Sequence, residues 1–61
     1  MYRLYKEYDG LAVRTARAYK QLEKAIQVAL KIQAAFVEVR RLLPNGKEVL
    51  VDIIMDGRTL A

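Results

Sequence analysis

The side chains of this 61-residue chain that could act as nucleophiles are two threonines, Thr15 and Thr59. A threonine hydroxyl needs a neighbouring base before it can attack a substrate. The chain contains no histidine, cysteine or serine, so the usual base and the stronger nucleophiles are absent. We therefore expect no nucleophilic catalysis.

The carboxylates do not form a catalytic or metal-binding pattern either. Asp52 and Asp56 are four residues apart, which in a strand separates them by ~13 Å, too far to share one substrate atom. Asp56 precedes Gly57, a pair that is typical of a turn. Zinc sites rely on histidine and cysteine, and the three glycines lie singly in separate turns, so no phosphate-binding loop exists. We predict no catalytic residue, no cofactor and no metal, and a protein that is not an enzyme.

Basic residues carry a net charge of +4, which permits contact with nucleic acid without requiring it. The candidates for phosphate contacts lie on or beside a predicted helix and at one turn: Arg17, Lys20, Lys24, Lys31 and Lys47. No aromatic residue alternates with these lysines, so bases would have no stacking platform. Nucleic-acid binding is therefore the alternative function.

The loop Pro44-Asn45-Gly46 predicts the turn and the strand register of the second half of the chain. Proline fixes the first corner of a type I turn, and glycine takes the positive φ that ends it. The loop predicts a hairpin that pairs Leu43 with Lys47. The register that follows pairs Arg40 with Leu50, Val39 with Val51, and Val37 with Ile53.

The first half of the chain allows two readings. A strand over Tyr2–Tyr8 is followed by Asp9-Gly10, a strong hairpin signal, so residues 11–18 are predicted to be a second strand. Asp9 is also a good helix N-cap, which supports a helix that begins at about Leu11 instead. Both readings give an α+β fold, ββαββ by preference and βαββ as the alternative, with one helix on one face of an antiparallel sheet.

Residues 19–35 are predicted to form the amphipathic helix, and its apolar arc is unusually wide. The arc spans roughly 200°, whereas a stripe of ~100° is enough to pack on a sheet. The excess consists of Ala25, Val28 and Ile32, beyond a stripe made of Leu22, Ile26 and Ala29. This overhang favours a neighbouring subunit, most simply a two-fold mate, although residues 58–61 could fold back over it.

The alternation along the predicted strands separates two faces. The face toward the helix is predicted to carry Leu4, Leu11, Val13, Val37, Val39, Val49, Val51 and Ile53. The opposite face is predicted to carry Arg3, Tyr5, Glu7, Ala12, Arg14, Ala16, Glu38, Arg40, Leu42, Glu48, Leu50, Asp52 and Ile54. One helix cannot cover both faces, so the second meets water or a partner. Its candidates for a protein contact are Tyr5, Leu42, Leu50 and Ile54.

Composition and length limit the function classes further. With 54% apolar and 30% charged residues, the chain is expected to fold as a single domain over residues 1–61. No apolar run approaches the ~20 residues of a membrane span, and the first residues do not resemble a signal peptide, so a cytoplasmic setting is expected. We predict a non-enzymatic protein-interaction module that forms a homodimer or binds another protein, with no small-molecule ligand. The absence of serine, cysteine, histidine and tryptophan also suits a thermophile protein, or a designed or uncharacterised scaffold with no natural ligand.

Overall fold

Five strands and one helix form the domain in a computed structural model that describes residues 1–60; Ala61 and the side chain of Ala16 lie outside the described part. The elements are β1 (Tyr2–Tyr8), β2 (Leu11–Tyr19), α1 (Leu22–Ala29), β3 (Phe36–Leu42), β4 (Glu48–Met55) and β5 (Arg58–Thr59). All strands join one antiparallel sheet in the order β2-β1-β3-β4-β5, and α1 packs on β1, β2 and β3. The α+β class is confirmed, and β5 is an addition to the predicted elements. The sheet face toward α1 is called the inner face, and the other is called the outer face.

The first hairpin decides between the two readings of residues 11–18. Asp9 and Gly10 both have positive φ, 44° and 84°, as a two-residue hairpin turn of type I′ requires. Tyr8 pairs with Leu11 and continues into β2, so the alternative helix from Leu11 is wrong. The ladder is interrupted between Arg3 and Tyr5, where β2 carries extra residues in a bulge.

The second hairpin begins as predicted and then shifts. The N–H of Leu43 donates to the carbonyl of Lys47 at 2.8 Å, and Arg40 pairs with Leu50. A bulge then follows, and Val39 pairs with Asp52, so Val51 is an extra residue. The predicted pairing of Val39 with Val51 is therefore wrong.

The bulge exchanges the faces of the last part of β4. Val37 pairs with Ile54 rather than with Ile53, and Ile53 instead lies opposite Glu38. Ile54 is only 4% exposed and belongs to the core. The prediction that placed Ile54 on the outer face and Ile53 on the inner face is wrong, because one inserted residue reverses the side-chain alternation.

The helix is shorter than the predicted span 19–35. Tyr19 pairs with Tyr2 in the sheet, and the backbone of Gln21 is still extended (φ −112°, ψ 134°), so α1 begins at Leu22. After Ala29 the chain must return to the sheet, and the N–H of Ala35 already donates to the carbonyl of Glu7 at 3.0 Å. The apolar periodicity of residues 19–35 therefore covers the helix and also the segment after it, in which Ile32 and Ala34 pack against the core.

The core is small and is centred between α1 and the middle strands. Its buried residues are Leu4, Ala25, Ala29, Val37, Val39 and Ile54. Ala25 and Ala29 have short side chains, so the helix axis can lie close to the sheet. Ala25 is fully buried at the centre of the helix face, so its assignment to an overhang is wrong. Val28 and Ile32 are half-buried against this core, which makes the overhang smaller than predicted.

Within residues 1–60 no helix is long and apolar enough to cross a membrane.

Candidate interaction surfaces

The guanidinium of Arg40 lies on the outer face and contacts three side chains. The guanidinium carbon of Arg40 lies 4.0 Å from the centroid of the Tyr5 ring, which is a cation–π contact. Its Nε donates to Oε1 of Glu38 at 2.8 Å, and one Nη lies 2.7 Å from the same oxygen. Strands β1 and β3 place these residues, since Tyr5 pairs directly with Glu38.

Glu48, at the start of β4, closes this arrangement. The hydroxyl of Tyr5 lies 2.7 Å from each carboxylate oxygen of Glu48, to which it donates. The other Nη of Arg40 lies 3.2 Å from Oε1 of Glu48. Tyr5, Glu38, Arg40 and Glu48 form what we call the outer-face network, in which each side chain is held by at least one other.

The network changes the ionisation of its members. Hydrogen bonding from Tyr5 lowers the pKa of Glu48, and Arg40 lowers it further. Burial raises the pKa of Tyr5, and its hydrogen bond to Glu48 acts in the same direction. The hydrogen bond to Glu38 raises the pKa of Arg40. All three shifts favour the charge states that the network needs at neutral pH, a carboxylate, a guanidinium and a neutral phenol.

The outer face as a whole is nearly balanced in charge. The pairing places four arginines and three glutamates on it: Arg3, Arg14, Arg40, Arg58, Glu7, Glu38 and Glu48. Most of the net charge of +4 therefore resides elsewhere on the molecule. Among residues 1–60, Nε of Arg3 and Oε2 of Glu7 are buried without a hydrogen-bond partner. A nearly balanced face of this kind suits a protein partner better than a phosphate backbone.

The structure brings together three of the predicted contact residues and separates the others. Tyr5, Leu42 and Leu50 share the outer face; Leu42 is half-buried, and Leu50 is 50% exposed. Ile54 is in the core, apart from these three residues. Val28 and Ile32 lie on the helix side of the sheet, away from this group.

The predicted basic residues are all exposed but do not form one cluster: Arg17, Lys20, Lys24, Lys31 and Lys47. Lys20 and Lys47 lie at the same end of the sheet, since Lys20 follows β2 and Lys47 precedes β4. Lys31 lies beyond the other end of α1. The set is therefore spread over the length of the domain.

The sequence reasoning missed the two margins of the sheet. Among the described residues β2 pairs only with β1, and the end of the chain covers β4 only at Ile53, Ile54 and Met55, where the N–H of Leu60 donates to the carbonyl of Ile53. Large apolar side chains are exposed along these margins: Leu11, Val13, Val49, Leu50, Met55 and Leu60. The strand order is the signal that identifies them, and it cannot be read from the spacing of residues.

Three of these residues lie on the inner face, as predicted, but α1 leaves them exposed. Leu11, Val13 and Val49 are 70%, 44% and 46% exposed, because α1 does not reach the ends and edges of the sheet. Beside β4 the open margin forms a shallow groove of about 210 Å³, lined by Leu50, Val51, Asp52, Ile53 and Leu60. The uncovered apolar surface of this domain is thus concentrated at its strand edges.

Comparison with known proteins gives no match to a family model, a curated protein or a solved structure. Within residues 1–60 no three histidine, cysteine, aspartate or glutamate side chains are grouped so that they could hold a metal ion.

Proposed function

We propose that this protein is a non-enzymatic interaction module that self-associates through the side of its sheet that carries Leu50. The observation that carries the proposal is the position of Leu50, half-exposed in β4 directly opposite Arg40 of the outer-face network. An exposed leucine beside a fixed arginine and tyrosine has the composition of an interface centre, where those two residue types are enriched.

The outer-face network lowers the cost of association. Arg40 and Tyr5 already hold each other at 4.0 Å, so little side-chain freedom remains to be lost on binding. The charges of the face nearly cancel, so they repel a second copy of the chain only weakly. These two properties favour a copy of the same chain as the partner.

The small core gives a second reason for association. A chain of about 60 residues buries only ~60% of its unfolded surface and gains stability from a partner. The helix side offers less for this purpose, since Val28 and Ile32 are already half-buried against the core.

Sedimentation equilibrium over a range of concentrations tests the proposal. We expect the wild-type chain to associate and Leu50→Glu to shift the mass toward monomer. Leu30→Glu is the matched control, because Leu30 is 42% exposed at the end of α1 and should not affect the mass. A wild-type chain that remains monomeric at millimolar concentration would refute self-association, and loss of association in both variants would refute the choice of surface.

Nucleic-acid binding is the second candidate, because most of the net charge lies off the outer face on exposed side chains such as Lys20 and Lys47. Binding of this kind depends steeply on salt, since it releases counterions. Titration of duplex DNA at low and high salt, with the double variant Lys20→Gln/Lys47→Gln, tests it. Absence of binding at low salt removes this candidate.

A further inference from the structure

We infer that copies of this chain associate head to tail, with β2 of one copy pairing with the open side of β4 of the next. The inference rests on the proposed function, since it names the contact through which self-association occurs. The two open strand margins match each other in backbone geometry, side-chain polarity and charge.

The backbone of β2 presents two residues to the open margin. In a two-residue hairpin the residues that flank the turn, here Tyr8 and Leu11, form a hydrogen-bonded pair, and the pattern then alternates. The main-chain groups of Leu11 and Val13 are therefore directed to β1. Those of Ala12 and Arg14 are directed away from the sheet.

The backbone of β4 presents two residues in the same way. The N–H of Leu42 donates to the carbonyl of Met1 at 2.8 Å, so Leu42 is directed to the β1 side and not to its pair partner Glu48. The main-chain N–H and C=O groups of Glu48 therefore face the open margin, and so do those of Leu50, two residues later.

The strand directions allow this contact without turning the molecule over. Neighbouring strands are antiparallel throughout the order β2-β1-β3-β4, so β2 and β4 run in opposite directions. A second copy placed beside β4 in the same orientation thus presents β2 as an antiparallel neighbour. The helices of both copies then lie on the same side of one continuous sheet.

In one register the main-chain groups that face outward on β2 can form hydrogen bonds with those that face outward on β4. The same register places complementary side chains opposite each other. Ala12 lies opposite Leu50 of the next copy, and Arg14 lies opposite Glu48, which forms a pair of opposite charges on the outer face. On the inner face Val13 meets Val49, and Leu11 meets Val51. The contact covers Leu11, Val13, Val49 and Leu50, which are 70%, 44%, 46% and 50% exposed in the single chain.

Symmetric pairing of either margin with itself lacks this charge match. Residues 11–19 contain arginines and no carboxylate, whereas β4 contains Glu48 and Asp52 and no basic residue. Two β2 strands or two β4 strands therefore cannot place an arginine opposite a carboxylate. Opposite charge selects the pairing of β2 with β4.

The fold limits the contact to four residues on each strand. On β2 it is bounded by the Asp9-Gly10 turn and by the bulge after Arg14, and on β4 by the Gly46 turn and by β5. Bulges and short covering strands restrict edge pairing in natural sheets. The contact is therefore short, and we expect reversible association and not a stable fibre.

Cysteine cross-linking tests the register, and the chain has no cysteine to interfere. Val13→Cys mixed with Val49→Cys should form a disulfide-linked dimer about tenfold faster than Val13→Cys mixed with Leu30→Cys, since pairing raises the effective concentration. The double variant Val13→Cys/Val49→Cys should give a ladder of linked oligomers. An internal disulfide is impossible in the double variant, because β2 and β4 are about 14 Å apart across two intervening strands.

Each outcome decides between the two proposals. If the wild-type chain associates but the Val13→Cys and Val49→Cys mixture cross-links no faster than the control mixture, the edge pairing is overturned and self-association stands. If the wild-type chain sediments as a monomer, both fail.

Proline variants give a second readout that does not depend on oxidation. Ala12→Pro and Leu50→Pro each remove an N–H that faces the open margin, a position at which an edge strand tolerates proline. Each variant alone should lose association while circular dichroism shows that it is folded. Their equimolar mixture should form dimers and nothing larger, since each retains one intact margin. Association of Ala12→Pro at the wild-type level would overturn the edge pairing.

Discussion

The two faces of the sheet are held by different interactions. On the inner face Leu4, Val37 and Val39 are at most 2% exposed and pack against the alanines of α1. On the outer face Arg40 organises a tyrosine and two carboxylates through contacts of 2.7–4.0 Å. The same strands supply both sets of side chains, because alternate residues point to opposite faces.

The stability of the domain therefore has two sources of unequal size. Burial of aliphatic groups is insensitive to pH and moderate salt, and it supplies most of the free energy of folding. A half-exposed ionic network contributes less and responds to both conditions. The inner face should therefore determine whether the chain folds, and the outer face how stability depends on solution conditions.

The largest expected effect is on the inner face, at Leu4. Leu4→Ala should lower the free energy of unfolding by about 3–5 kcal/mol, because it leaves a cavity under α1 at a fully buried position. Urea denaturation followed by circular dichroism measures the change. Leu42→Ala, at a half-buried position of the outer face, is the control and should cost clearly less. Equal losses would show that the two faces are not distinct in this respect.

A second change tests the close approach of helix and sheet. Ala25→Leu should destabilise the domain by about 1–3 kcal/mol, since the added atoms have no space between α1 and the sheet. Gln27→Leu, on the exposed side of the same helix, should leave stability nearly unchanged. A neutral or stabilising Ala25→Leu would mean that the interior has room for a larger side chain.

On the outer face, Arg40 should contribute less to stability than the buried residues of the inner face do. Arg40→Met should cost about 1 kcal/mol or less, because it leaves Glu38 without its ion-pair partner in a half-exposed setting. The loss should become smaller in high salt. Arg41→Met is the matched control, since its exposed side chain lies on the other face and is expected to have no effect. Identical results for the two arginines would contradict the role of Arg40.

The smallest expected effect is a dependence on acid pH. Since the pKa of Glu48 is lowered in the folded chain, the carboxylate form stabilises folding at and above neutral pH. This contribution disappears as the pH falls through the lowered pKa of Glu48, in the range below that of an ordinary carboxyl group.

Tyr5→Phe removes the main cause of that shift. Thermal unfolding at neutral and acid pH should show a smaller acid loss in Tyr5→Phe than in wild type. Tyr8→Phe, at an exposed position, should keep the wild-type profile. Parallel profiles for wild type and Tyr5→Phe would exclude Glu48 as the source of the acid loss.

Local signals in the sequence were sufficient for the two hairpins. Asp9-Gly10 and the Pro44-Asn45-Gly46 loop each dictate a turn, and the first pairs beside them, such as Arg40 with Leu50, are correct. Turn chemistry acts over a few residues, so it needs no knowledge of the rest of the fold.

Long-range packing decided the features that were predicted wrongly. The bulge at Val51 and the early end of α1 depend on packing between segments that are distant in the chain, which periodicity does not encode. The same holds for the exposure of Leu11 and Val49, because the pattern identifies an inner face and not how much of it the helix covers. Of the predicted contact group, Tyr5, Leu42 and Leu50 lie on one face. Ile54 lies in the core, because the bulge reverses the side-chain alternation of β4.

The extra residue in β4 could be lost without changing which isoleucine the strand buries. Deleting the single codon for Val51 would restore strict alternation while Arg40 stays opposite Leu50 and Val37 stays opposite Ile54. The core would keep Ile54, and the loss would be the half-buried side chain of Val51. A one-residue deletion in this strand should therefore be tolerated better than most, whereas a deletion in β3 would bury Glu38 or Arg40.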